Sequence, residues 1–309
     1  AASDVYKRQI HDRKDKKSPI GQTLSTILQS LENLGYKVEW KVLNSKYFGV
    51  PQERKRIYII GTDRKKPDMN FQVGKVKKIK EILESGLPTV NSKIVSLLLS
   101  HFSAEELQGK AIKDKRGGKD NIHSWDIELK GKVTNSQKEL LNKLLTERRK
   151  KKWAYEYGIE WMDGMPLTKE HIKTFYDVKN LEEILEDLVN KGYLKKEYPK
   201  RKIAGKRVQD TNLPIGYNIV TGKMSFEINK ILNPESIAPT LVAMDMRGLF
   251  VVDGKGLRNL SLREGLRLFG YPEDFKFEIE KSLGYDLLGN TVVVPAIEEV
   301  SKRVLKIYY

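Results

Sequence analysis

The 309-residue chain carries 57 lysines and arginines against 41 aspartates and glutamates, a formal charge of +16 that favours a polyanionic partner. It contains no cysteine, which excludes a disulfide framework, a cysteine-based zinc site and a thiolate nucleophile of its own. No apolar run approaches the roughly 20 residues that span a bilayer, the first ten residues lack a signal-peptide core, and His11, His101, His123 and His171 show no metal-ligand spacing.

Residues 1–10 read as a non-native leader unrelated to the rest of the chain. Leu24, Ile27, Leu28, Leu31 and Leu34 then recur at helical spacing, and Gly35 supplies a stop. Tyr36, Val38, Trp40 and Val42 alternate with Lys37, Glu39 and Lys41, which predicts a half-exposed strand. A Gly49-Val50-Pro51 turn comes next, and residues 57–60 are continuously apolar, as in a strand covered on both faces. Ahead of that strand, Gln52, Arg54 and Arg56 occupy alternate positions. Strand periodicity would put an amide and two guanidinium forks on one surface, suited to phosphates or a base edge.

From Phe71 to Glu235 the pattern loosens. Leu140, Leu141, Leu144 and Leu145 predict a helix running into the basic stretch 148–152, either a solvated face or a track for a DNA backbone. Asn180 is placed to cap a helix with the stripe Leu181, Ile184, Leu185, Leu188 and Val189, ending at Gly192. That helix, the Gly-Tyr-Leu after it, the basic residues beyond and a strand at 216–220 together resemble a winged-helix layout. Past Pro239-Thr240-Leu241, residues 249–252 read as an apolar strand closed by Asp253-Gly254. Ser261-Leu262-Arg263-Glu264 has the capping-box form, and its helix carries Leu262, Leu266 and Phe269 before stopping at Gly270-Tyr271-Pro272. Pro295 suits the first turn of a last helix, with Glu298 and Glu299 near its start and Lys302, Arg303 and Lys306 near its end.

Several of these pieces carry a family resemblance. Gln52-Glu53-Arg54-Lys55-Arg56 after the Gly-Val-Pro turn resembles motif VIII of the DNA (cytosine-5) methyltransferases. Residues 258–272 are similar to motif IX, with Leu-Phe-Gly-Tyr-Pro where the family usually has Leu-Gln-Gly-Phe-Pro. Residues 289–295 resemble motif X, with Thr291 in place of the commoner serine, and Thr240-Leu241 resembles the pair that ends the recognition domain. Residues 11–23 look like motif VII. The likeness is strong over 20–61 and 236–309, while the Pro-Cys loop, the Glu-Asn-Val segment and the Gly-rich cofactor loop have no counterpart.

The resemblance implies an α/β fold: the C-terminal portion of a methyltransferase (Rossmann-like) sheet with an inserted, smaller α+β target-recognition domain. Residues 11–70 would end the catalytic domain, 71–250 would form the recognition domain, and 251–309 would return to the catalytic domain. The implied reaction is transfer of a methyl group from S-adenosyl-L-methionine to cytosine C5 in duplex DNA, in a bacterial, cytoplasmic restriction-modification setting. Arg54 and Arg56 would grip the phosphate and carbonyl oxygen of a flipped nucleotide, Gln52 would support the pocket and DNA contacts, and Thr240 would bond a phosphate. Asn290 and Thr291 would line the amino-acid part of the cofactor, while Arg263 and Glu264 would be structural. Expected partners are double-stranded DNA and the missing N-terminal half or a cognate endonuclease, with no metal and no membrane. Without a cysteine the chain alone is expected to be inactive. The alternative is a non-catalytic DNA-binding subunit or remnant.

Overall fold

The structure is a computed structural model that describes residues 20–160, 164–221, 228–241 and 246–309. The expected leader, His11 and most of the motif VII segment lie outside the described residues. The chain divides into two compact units, one of residues 1–88, 232–253 and 258–309, the other of 89–231 and 254–257.

The first unit opens with helix α1, Gln22–Asn33. Of its apolar stripe only Leu24 is buried, and Leu34, just past its end, is 74% exposed. Gly35 comes next at φ +88°, a left-handed turn that glycine adopts without a Cβ penalty. Strands β1, Lys37–Asn44, and β2, Lys55–Thr62, then pair antiparallel from Lys37 opposite Thr62 to Asn44 opposite Lys55. The expected strand covered on both faces is only partly so: Ile57 and Ile60 are buried while Tyr58 and Ile59 are half-buried. Between the strands, Ser45 stitches the turn, donating from its hydroxyl to the Gln52 carbonyl at 2.6 Å and accepting from the Arg54 N–H at 3.0 Å.

In the second unit, helix α2, Lys93–His101, is capped by the Ser92 hydroxyl. Helix α3, Asn135–Glu147, starts in a capping box of Thr134 and Gln137 and buries Leu140, Leu141, Leu144 and Leu145 as its spacing requires. The basic stretch after it is neither wholly solvated nor one face. Arg148 is buried, its Nη1 donating to Asn218 Oδ1 at 2.8 Å, and only Lys150 to Lys152 stand exposed, ahead of and within α4, Lys151–Glu156. Helix α5, Leu181–Asn190, buries Leu181, Ile184, Leu185 and Leu188, but Asn180 makes no side-chain capping bond because its backbone is not extended. Strand β3, Leu194–Glu197, pairs antiparallel with β6, Gly216–Ile219, and between them β4, Lys200–Ile203, and β5, Lys206–Gln209, form a hairpin. Trp125, Trp153, Tyr193 and Ile219 share one core with the α3 and α5 stripes.

The chain then returns to the first unit with β7, Leu249–Asp253, α6, Leu262–Phe269, α7, Lys281–Asn290, and α8, Val294–Tyr308, which has its proline in the first turn. The unit boundaries differ from junctions at 70/71 and 250/251. Ile79 and Ile82 pack into one core with Leu232, Ala238, Leu241 and Val251, so both flanking segments cluster with the first unit. Burial decides this assignment, and the sparse apolar content of 71–88 gave no periodic sign of it.

Candidate functional site

The candidate site of the first unit gathers the motif VIII turn, the 238–241 segment and the 289–291 segment. The single polar surface expected of Gln52, Arg54 and Arg56 is not what the structure presents. Gln52 is fully buried, bridged in parallel to Ala238, with Nε2 donating to the Leu268 carbonyl at 2.9 Å. Its Oε1 is buried and has no hydrogen-bond partner among the described residues. Regular strand pairing starts at Lys55, so Gln52 and Arg54 are placed by the turn rather than by the pleat.

Arg54 is also buried. Its guanidinium fans across three carbonyls, with Nη1 to Leu241 at 2.5 Å and Nη2 to Thr291 at 3.1 Å and Gly289 at 3.5 Å, and it lies over the Phe269 ring at 5.5 Å. Five donors in a planar fork are what allow one side chain to tie three chain segments together. Burial, with a smaller push from the neighbouring Arg56 charge, takes the Arg54 guanidinium down to about 10, so it stays charged at neutral pH. Arg56 is half-exposed, and its Nη1 donates to the Lys55 carbonyl at 2.8 Å. Of the two arginines, Arg56 is the one that solvent reaches.

The remaining expected residues surround this brace. Thr240 is exposed, and its hydroxyl donates to the Glu53 carbonyl at 2.7 Å, pinning the 238–241 segment to the motif VIII turn. Asn290 is exposed at the end of α7, where its Nδ2 donates to the Asp286 carbonyl at 2.9 Å. The Thr291 hydroxyl shares a hydrogen bond with the Tyr271 hydroxyl at 2.8 Å. On the other side of the turn, Lys41, Asn44, Lys46, Glu53, Lys55, Phe48 and Phe71 border a cleft of about 580 Å³.

A buried charged cluster beneath motif IX holds the scaffold. Glu264 is 0% exposed and accepts four hydrogen bonds: from Arg258 Nη1 and Nη2 at 2.9 and 2.8 Å, and from the main-chain N–H of Glu84 and Ser261 at 2.8 and 2.7 Å. Asp253 takes the Arg258 Nε at 2.7 Å and the N–H groups of Gly86 and Leu87. These bonds hold the Asp253 carboxyl below its ordinary value and the Arg258 guanidinium above its own. The capping box was legible in the sequence, but its extension into an Arg258–Asp253–Glu264 triad was not, because Asp253 and the 84–87 segment meet it only through the fold. Arg263 is on the outside, donating to the carbonyls of Pro272 and Phe275. Among the described residues no group of histidine, aspartate or glutamate could hold a metal ion, and no helix is long and apolar enough to cross a membrane.

The sequence profile described as C-5 cytosine-specific DNA methylase matches residues 13–306. The chain is 63% identical over 295 residues to the type II methyltransferase M.NlaIV of Neisseria lactamica, covering 96% of this chain and 70% of that protein. It is 61% identical over 295 residues to the type II methyltransferase M.NgoBV of Neisseria gonorrhoeae, again covering 96% and 70%. Among solved structures, the S. pombe Dnmt2 methyltransferase aligns at 13% identity and a TM-score of 0.42, and this chain spans 64% of its length.

Proposed function

The chain belongs to the C-5 cytosine-specific DNA methylase family, and from that membership we propose that it holds the target nucleotide and recognises DNA for methyl transfer to cytosine C5. The substrate is duplex DNA and the setting a bacterial restriction-modification pair. The chain spans 70% of the length of the two Neisseria relatives. The observation that carries the reading is the Arg54 brace, which brings the motif VIII turn, the 240–241 pair and the 289–291 segment to one place.

A cytosine inside the duplex hides its ring faces, so the base must leave the stack to react. Arg56, charged and half-exposed, is assigned the contact with the flipped nucleotide's phosphate or carbonyl oxygen. Arg54 is assigned to hold the 240–241 and 289–291 segments against the motif VIII turn. Buried Gln52, with Nε2 on the Leu268 carbonyl, is assigned to support the turn from beneath, and the Thr240 hydroxyl would donate to the DNA backbone on turning away from the Glu53 carbonyl. The amide of Asn290 and the hydroxyl of Thr291 fit the polar amino-acid end of S-adenosylmethionine, as one wall of its site. When bound, that cofactor supplies the methyl group. With no cysteine in the chain, the nucleophile has to come from another polypeptide segment. Leu283 and Leu287, one turn apart on α7, and Val292 are 51%, 49% and 52% exposed, an apolar face that such a segment would cover.

The test is transfer of labelled methyl from S-adenosylmethionine to a mixed-sequence duplex, by the chain alone and with a separately supplied cysteine-bearing methyltransferase segment. Transfer only on mixing is the expected result. Transfer by the chain alone refutes the assignment of the nucleophile, and none in either case leaves the non-catalytic DNA-binding reading, which the absence of cysteine favours.

A further inference from the structure

The second unit carries a basic hairpin that the candidate site does not use. Residues 200–209, β4 and β5, contain Lys200, Arg201, Lys202, Lys206 and Arg207 and no acidic residue. Ala204 at φ +48° and Gly205 at φ +79° make a two-residue turn of the mirror-image type, whose twist suits a tight hairpin. Two of the five cations are engaged at its base. Arg201 pairs with Asp210 and donates to the Tyr157 carbonyl at 2.8 Å, and Lys200 lies 3.6 Å from Glu197. Lys202, Lys206 and Arg207 are exposed and make no ion pair with any described residue.

We infer that this hairpin is a DNA-backbone grip, lodging between phosphates through Lys202, Lys206 and Arg207. The inference rests on the proposed DNA reading and adds the element that makes the contact. The pairing register puts Lys202 opposite Arg207 on one face of the ribbon. Like charges directly opposite one another destabilise a hairpin, and a polyanion relieves that repulsion. Lys206 pairs with Ile203 and stands on the other face, where Ile203 and Val208 are 59% and 46% exposed. Cations on both faces suit a groove walled by phosphate on either side.

Charge excludes the obvious competitor. Helix α5, strand β3, the hairpin and β6, with Tyr217 of β6 bridged to Leu167, have the order of a winged helix. In that layout the helix before the hairpin would enter the major groove. Here α5 turns its apolar stripe into the core and carries Glu182, Glu183, Glu186 and Asp187 outside it. Glu182 and Glu186 are paired at 2.7 Å with Lys169 and Lys196, and Asp187 at 2.6 Å with Lys191. α5 has no lysine or arginine of its own to meet a phosphate, and the lysines around it are held by its carboxylates, so the hairpin takes the contact.

The experiment measures affinity of the full chain for a mixed-sequence DNA duplex between 50 and 200 mM salt. It compares the parent with Lys202→Gln/Lys206→Gln/Arg207→Gln and with a charge-matched control, Lys65→Gln/Lys302→Gln/Lys306→Gln. Loss of three phosphate contacts should flatten the slope of log K against log salt by about 2.7 and weaken binding roughly 500-fold at 0.1 M. The control should keep the parent's slope. Hydrogen exchange across 194–219 provides a second readout: Lys202→Gln alone should slow exchange in the hairpin by removing the cross-strand repulsion. A triple variant with the parent's slope, in a parent that binds DNA, overturns the inference and leaves the DNA reading standing. A parent that does not bind DNA overturns both. A triple variant that loses only duplex RNA or anionic vesicles, offered as separate probes, overturns the assignment to DNA.

Discussion

Replacing Glu264 by glutamine tests the buried triad that carries motif IX. The carboxylate Oε1 accepts from Arg258 Nη2 and the Glu84 N–H, and Oε2 accepts from Arg258 Nη1 and the Ser261 N–H. Glutamine keeps the shape but has one acceptor, so either orientation of the amide points its NH₂ at two donors. One charge-assisted bond is then lost, about 1.5–3 kcal/mol, and one main-chain N–H is left buried and unpaired, about 1–3 kcal/mol. Together these agree with the roughly 3–5 kcal/mol expected for breaking a buried ion pair. Because the chain divides into two compact units, the loss is best read locally, by hydrogen exchange of peptides from 258–275 under denaturant. Exchange should quicken on the order of 10²- to 10³-fold, and the unfolding midpoint of those peptides should fall with its slope unchanged. Adding Arg258→Met should deepen the loss, since Arg258 also holds the Asp253 carboxylate and the Glu84 carbonyl. A change below about 1 kcal/mol, or no further loss in the double variant, would refute the reasoning that this cluster holds the helix in place.

Arg56→Ala should weaken DNA binding by the chain more than Lys55→Ala, by roughly ten- to a hundredfold if Arg56 touches the nucleotide; equal effects in a titration would mean that Arg56 does not face the DNA. Gly270→Ala should destabilise the first unit by about 1–2 kcal/mol or more, because Gly270 sits at φ +75° and a Cβ there would lie 2.4 Å from the Pro295 ring; an unchanged melting curve would contradict this. Asp253 has its carboxyl depressed below the usual 3.8 chiefly by Arg258, so its stabilising contribution is present above about pH 3.8 and lost as pH falls through the lower folded value. Asp253→Asn should therefore flatten the acid limb of the first unit's stability profile, measured as unfolding midpoint against pH, and an acid limb as steep as the parent's would remove Asp253 as its cause.

The elements with strong local signals were legible without the fold. Helix α3 follows from four leucines at helical spacing, α6 from its capping box, and the end of α1 from Gly35, because these depend on periodicity and on backbone geometry that only neighbours in sequence set. The chemistry of the candidate site was legible as residue types: Gln52, Arg54, Arg56, Thr240, Asn290 and Thr291 mark a recognisable order of motifs. Their exposure was not. Alternation treated Arg54 and Arg56 as equivalent, yet Arg54 is withdrawn under Phe269 onto carbonyls up to 237 positions away in sequence. Likewise the unit boundary moved to 88/89 because Ile79 and Ile82 join a core built from residues beyond 230. Whether a charged side chain meets solvent or a ring of carbonyls depends on contacts between distant segments, and local periodicity carries no information about those.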